Sequence, residues 1–130
     1  MTTPFDIMID PRGFVLIALS GDVLEGQTAT FSDELKKGFE MIRAYSTERK
    51  AKIKILVDLG NFSGKYSVEA MELFADFAAD DAPYVDRSAI YGLSAEIRAA
   101  AKITTAMSGR KNISVFDSRE KALKWLGIEP

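Results

Sequence analysis

The sequence predicts an α/β fold, a single domain over residues 1–130 with a five-stranded, mixed but mostly parallel sheet and four helices in the order β-β-α-β-α-β-α-β-α. Three observations carry this. The runs "FVLIALSG", "IKILVDL" and "RSAIYGL" are apolar, partly β-branched and too short for helices, as strands covered on both faces should be. Segments with apolar residues at helical spacing separate them, which calls for crossover connections and parallel pairing. The tetrapeptide "DPRG" joins the first two strands too tightly for a crossover, so one strand is antiparallel.

Taken in order, strands are expected at about 5–9 and 13–19. Asp10 suits the first turn position, Pro11 pre-sets φ at the second and Gly13 tolerates positive φ at the fourth. "GDVLEGQTAT" breaks the apolar run. A helix follows from about Ser32 to Tyr45, with Leu35, Phe39 and Ile42 on one face. "STERKAK" reads as a charged connector to a strand at 53–59. Ser67 opens the second helix, which runs to about Ala79, where "DDAP" stops it through Pro83. A strand at 87–93 precedes a helix capped by Ser94, running to about Ser108 and closed by a left-handed Gly109. "NISVF" (112–116) is the last strand. Asp117 and Glu120 have capping-box spacing for the last helix, Leu123 and Leu126 face inward, and Gly127 ends it. Ile55, Val57, Ile90 and Val115 are the expected centre of the sheet.

Composition narrows the chemistry. The 130 residues are 47% hydrophobic with a formal charge of −2, ordinary values for one globular domain. There is no cysteine and no histidine. Disulfides, thiolate or imidazole metal ligands, Ser-His-Asp triads and a near-neutral imidazole base are therefore excluded. No Walker-type or dinucleotide-binding glycine motif occurs, since "SGDVLEG" and "GNFSG" have the wrong spacing. The expectation is no catalytic residues, no metal and no cofactor. No apolar run approaches the roughly 20 residues of a membrane span, and the first residues lack a signal-peptide pattern. A cytoplasmic protein is expected.

Two passages, "KILVDLGNFSG" and "RSAIYGLSAEIRAAAKITTAMSGRKNISVFDSREKALKWLG", resemble the STAS-type fold, specifically the SpoIIAA-like group of small bacterial proteins, related in fold to CRAL-TRIO lipid carriers. The resemblance covers roughly residues 53–127. It implies a non-enzymatic binding or regulatory module, with protein–protein interaction first and carriage of a small apolar or amphipathic ligand as the alternative. In partner-switching members a phosphorylated serine opens the helix after the strand that "KILVDL" matches, and Ser67 falls within a residue of that place. This chain departs from the switch pattern: the Asp-Ser-Ser-Gly run is missing, and Lys65-Tyr66-Ser67-Val68 stands instead.

In open α/β sheets ligands sit beyond the carboxyl ends of parallel strands. Segments 20–27, 60–67, 94–95 and 117–118 are expected there, which makes Ser63, Lys65, Ser67, Ser94 and Ser118 the candidate ligand or regulatory residues. The same serines are also ordinary helix caps. Charge is unevenly placed, −6 over residues 66–86 and +5 over residues 87–124. Glu69, Glu72, Asp76 and Asp80 form a stripe on one helix face, either solvated or turned toward a basic partner. Complementarity between the two regions in two copies predicts a homodimer. Arg98, Lys102, Arg110 and Lys111 form a basic patch suited to phosphate, but the net acidic chain lacks a nucleic-acid motif, so nucleic acid is not an expected partner.

Overall fold

The computed structural model describes residues 5–23 and 25–129. The elements are β1 (Phe5–Asp10), β2 (Phe14–Val23), α1 (Thr28–Arg49), β3 (Ile53–Tyr66), α2 (Val68–Asp80), β4 (Val85–Tyr91), α3 (Ala95–Met107), β5 (Ile113–Val115) and α4 (Arg119–Leu126). The sheet order is β1-β2-β3-β4-β5. β1 pairs antiparallel with β2, and every later pair is parallel. The hairpin forms as its residues dictate: Gly13 has φ +93° and donates its N–H to Asp10 O at 2.9 Å, while Asp10 Oδ1 accepts from Arg12 N at 2.8 Å.

Because the order never reverses, each crossover steps in the same direction. Right-handed crossovers then put their helices on one side of the sheet. α1, α2 and α3 indeed share a core with Val15, Ile17, Ile55, Val57 and Ile90. Inside it Phe5 meets Phe31 and Phe77 edge-on, with ring centroids 6.3 and 6.0 Å apart. On the opposite face the short α4 packs Ala122, Leu123 and Leu126 over Phe14, Leu56 and Ala89. Successive strand residues therefore divide between two cores, which is why the strand runs lack polar alternation.

Several boundaries differ from the sequence reading. α1 begins at Thr28 and continues through the expected connector to Arg49. Ser46 is buried and donates its hydroxyl to Ala51 O at 2.7 Å, so tertiary contact holds the last turn. The helix ends at Lys50, which is left-handed at φ +55°. β3 runs seven residues past 59, because residues 61–66 pair with β2 at Ser20, Gly21 and Val23 through two register shifts. β4 starts at Val85, and β5 shortens to three residues. Val115 is only half-buried, since β5 is an edge strand, whereas Ile55, Val57 and Ile90 are buried. The cap of α4 is Ser118 rather than Asp117. Its Oγ accepts from Lys121 N at 3.2 Å, while Asp117 reaches Lys121 Nζ at 3.1 Å, which lowers the Asp117 pKa.

Candidate functional site

The carboxyl ends of β3, β4 and β5 lead into α2, α3 and α4, so Ser67, Ser94 and Ser118 stand at the ends of three neighbouring strands. Ser67 is the N-cap of α2, with Oγ accepting from Ala70 N at 3.1 Å. Ser118 caps α4 in the same way. Ser94 occupies the cap position of α3, but its side chain makes no capping bond and is exposed. The side chains of Ser63 and Lys65 lie outside the described residues. The unreversed strand order leaves no switch point, the place where adjacent crossovers to opposite faces open a crevice.

The space near these ends lies under the helices instead. Leu19, Val57, Leu59 and Ile90 of the sheet, Phe31 of α1, Phe74 of α2 and Ile97 of α3 line an apolar cavity of about 70 Å³. Drug-sized pockets span roughly 300–1,000 Å³, so this one takes a group of a few atoms at most.

Two polar features escaped the sequence reading. Asp81, read there as part of a helix stop and of the acidic run 66–86, is 1% exposed, and its Oδ1 has no hydrogen-bond partner among the described residues. Burial pushes its pKa up to about 8, Arg110 opposes this and Asp80 adds to it. The doublet Asp80-Asp81 in the sequence does not say which carboxylate turns inward. Second, Tyr91 on the α4 face of the sheet is pushed up to about 12 by burial and by the adjacent Asp58 carboxylate, with Arg119 opposing.

The basic patch divides. Arg110 is half-buried and committed to structure, donating from Nε to Asn112 Oδ1 at 2.9 Å and from Nη2 to Ser88 Oγ at 3.0 Å. Lys102 and Lys111 remain exposed, as do Glu69, Glu72, Asp76 and Asp80 on α2. The outward face of α3 is unusually apolar for a helix at a surface. Ile103 is 58% exposed and Met107 48%, with Ala95, Ala99 and Ala106 exposed beside them.

The sequential sheet, with three helices on one face and one on the other, defines a protein of the STAS type. The chain belongs to the SpoIIAA-like family, whose sequence pattern matches residues 15–127. It is similar in fold to an anti-sigma factor antagonist, SpoIIAA, in its unphosphorylated form, with a TM-score of 0.59 and 13% identity over 95% of this chain and 97% of that one. It is also similar to a candidate anti-sigma factor antagonist from Thermotoga maritima, with a TM-score of 0.64 and 10% identity over 95% and 94%. The phosphorylated form of the Bacillus cell fate determinant SpoIIAA gives a TM-score of 0.56 and 13% identity over 94% and 98%. No curated protein matches the sequence. Among the described residues no helix is long and apolar enough to cross a membrane.

Proposed function

We propose that this chain is a non-enzymatic regulatory module that works in the cytoplasm by binding another protein chain, a second copy of itself included. The observation that carries this reading is the outer face of α3. A helix with one face in the core normally turns charged residues outward, and exposed apolar surface rimmed by polar groups marks interaction sites. Here Ile103 and Met107 lie outward, with Lys102 exposed on the same helix. The neighbouring acidic α2 gives a twofold partner a matching charge for that basic rim. Family membership and fold likeness to anti-sigma factor antagonists agree with a protein-binding role.

Sedimentation equilibrium tests the second-copy form: a dimer that Ile103→Glu/Met107→Glu converts to monomer is expected. A monomer at all accessible concentrations removes the homodimer. A photo-crosslinker at position 103, expressed in the native cell, tests the wider reading against the same group at the exposed position 43 of α1. Adducts to one protein from position 103 alone are expected, and equal yields from both positions overturn it.

A second reading, carriage of a small apolar ligand, draws on the cavity beneath α2 and α3. At about 70 Å³ it serves only a ligand of a few atoms.

A further inference from the structure

The end of the sheet away from the helix N-termini holds a cleft of about 450 Å³ with a different character. It is lined by the β1–β2 turn at Arg12 and Gly13, by the segment from Arg49 to Lys54, and by Gly127 to Glu129 after α4. Four cations, Arg12, Arg49, Lys52 and Lys54, border it, in a chain whose overall charge is −2.

Two of the four are held in place. Arg12 lies over the Phe14 ring at 5.2 Å, bonds Asp10 Oδ1 at 3.1 Å and donates to Glu129 O at 2.7 Å. Arg49 lies over the Tyr45 ring at 5.1 Å, donates to Tyr45 Oη at 2.8 Å and rests against Gly13. A guanidinium so fixed offers its fork of N–H donors with little further loss of freedom. Among the described residues Arg49, Lys52 and Lys54 have no carboxylate in ion-pair contact. The carbonyl end of α1 accounts for a cation at Arg49. It does not account for Lys52 or for the half-buried Lys54. Placing like charges around one concavity raises the local concentration of anions. Ala51, Ile53 and Ile128 add apolar lining. The volume falls within the usual range for small-molecule sites, about 300–1,000 Å³.

We propose that this cleft binds a small organic molecule carrying two or more phosphoryl charges. Arg49 takes phosphoryl oxygens through paired N–H donors, which suits guanidinium geometry, while Arg12, whose Nε is given to Asp10 and Nη1 to Glu129 O, adds a donor from Nη2. Lys52 and Lys54 supply point charges, and the apolar lining accepts the organic part. Glu129, the carboxylate at the rim, disfavours a ligand that reaches beyond the cleft as an extended polyanion. The site is separate from the α3 face, so its failure would leave the protein-binding reading untouched.

Inorganic pyrophosphate is the probe, titrated calorimetrically in about 0.1 M salt, where exposed charges are already screened beyond about 10 Å. Saturable one-to-one binding is expected, with amide shifts clustered at Gly13, Lys52 to Lys54 and Gly127 to Glu129. Lys52→Gln/Lys54→Gln should weaken binding by about tenfold or more, since two charged donors are lost. Lys36→Gln/Lys37→Gln on the exposed side of α1 should leave it unchanged. Absence of saturable heat, shifts spread over all basic residues, or equal losses in both variants would overturn the proposal. So would binding matched by sodium sulfate at equal ionic strength. The amide shifts are read on the unsubstituted protein, so the test survives a variant that folds poorly.

Discussion

Asp81 shows how one side chain shapes the response of the whole protein to pH. Its folded pKa of about 8 lies above the unfolded value of about 3.9. Below about 4 both states hold the proton, and above about 8 neither does. In between only the folded state holds it, so stability falls as pH rises, by at most about 1.4 kcal/mol per unit. Asp81→Asn, which cannot ionise, should flatten that decline, and melting temperatures from about pH 5 to pH 9 would reveal it. Ser67 makes a simpler demand. With its Oγ on Ala70 N, Ser67→Ala should cost about 0.5–2 kcal/mol, whereas Ser67→Asp should be nearly neutral, because Asp caps as well and suits the helix dipole. Denaturant midpoints of the two variants check this. If phosphorylation regulates the chain through Ser67, Ser67→Asp will also change partner affinity at unchanged stability.

At the scale of elements, local chemistry was legible and long-range contact was not. "DPRG", Ser67, Gly109 and Gly127 act through bonds and dihedrals close by, and each behaves as its residue type requires. The C-terminal end of α1, by contrast, depends on Ser46 finding buried space, and the length of β3 depends on which partner strand continues beside it. Neither has a local signature. The cap of α4 misled for a different reason: Asp117 and Ser118 are both good caps, and composition does not choose between them. Gly92, the residue after β4, marks another long-range constraint. It has φ +96°, and a Cβ there would fall 2.8 Å from Gly60 Cα, against the backbone of β3. Gly92→Ala therefore combines strain with a backbone clash, and should cost roughly 2–4 kcal/mol in chemical unfolding. A loss below about 0.5 kcal/mol, the size of an ordinary surface change, would contradict the close approach.

For the whole molecule, the order of elements and the cover on both faces of the strands were legible in the hydrophobic runs, whereas which helices cover which face follows from the observed strand order and the handedness of crossovers. The candidate sites were less legible, because they consist of exposed residues gathered from distant segments. Arg12, Arg49, Lys52 and Lys54 meet only once the hairpin turn, the end of α1 and the tail after α4 are brought to one end of the sheet. The α3 face had a partial signal in "AEIRAAAKITTAM", whose alanines give no hint of which side is turned outward. If two copies pair through α3 with α2 opposite, raising salt to about 0.5 M should weaken the dimer, as screening acts on its exposed charges while the apolar contact persists. Sedimentation across a salt series measures that.

The unreversed strand order also sets a schedule for synthesis. Each strand pairs with the strand made just before it, so a chain emerging from the ribosome can extend its sheet without waiting for a distant partner. The far face is the exception. Phe14, Leu56 and Ala89 receive their cover from α4, which is made after all five strands of the sheet. From the birth of β4 until Leu126 has emerged, the growing protein carries an apolar sheet face that α4 does not yet cover.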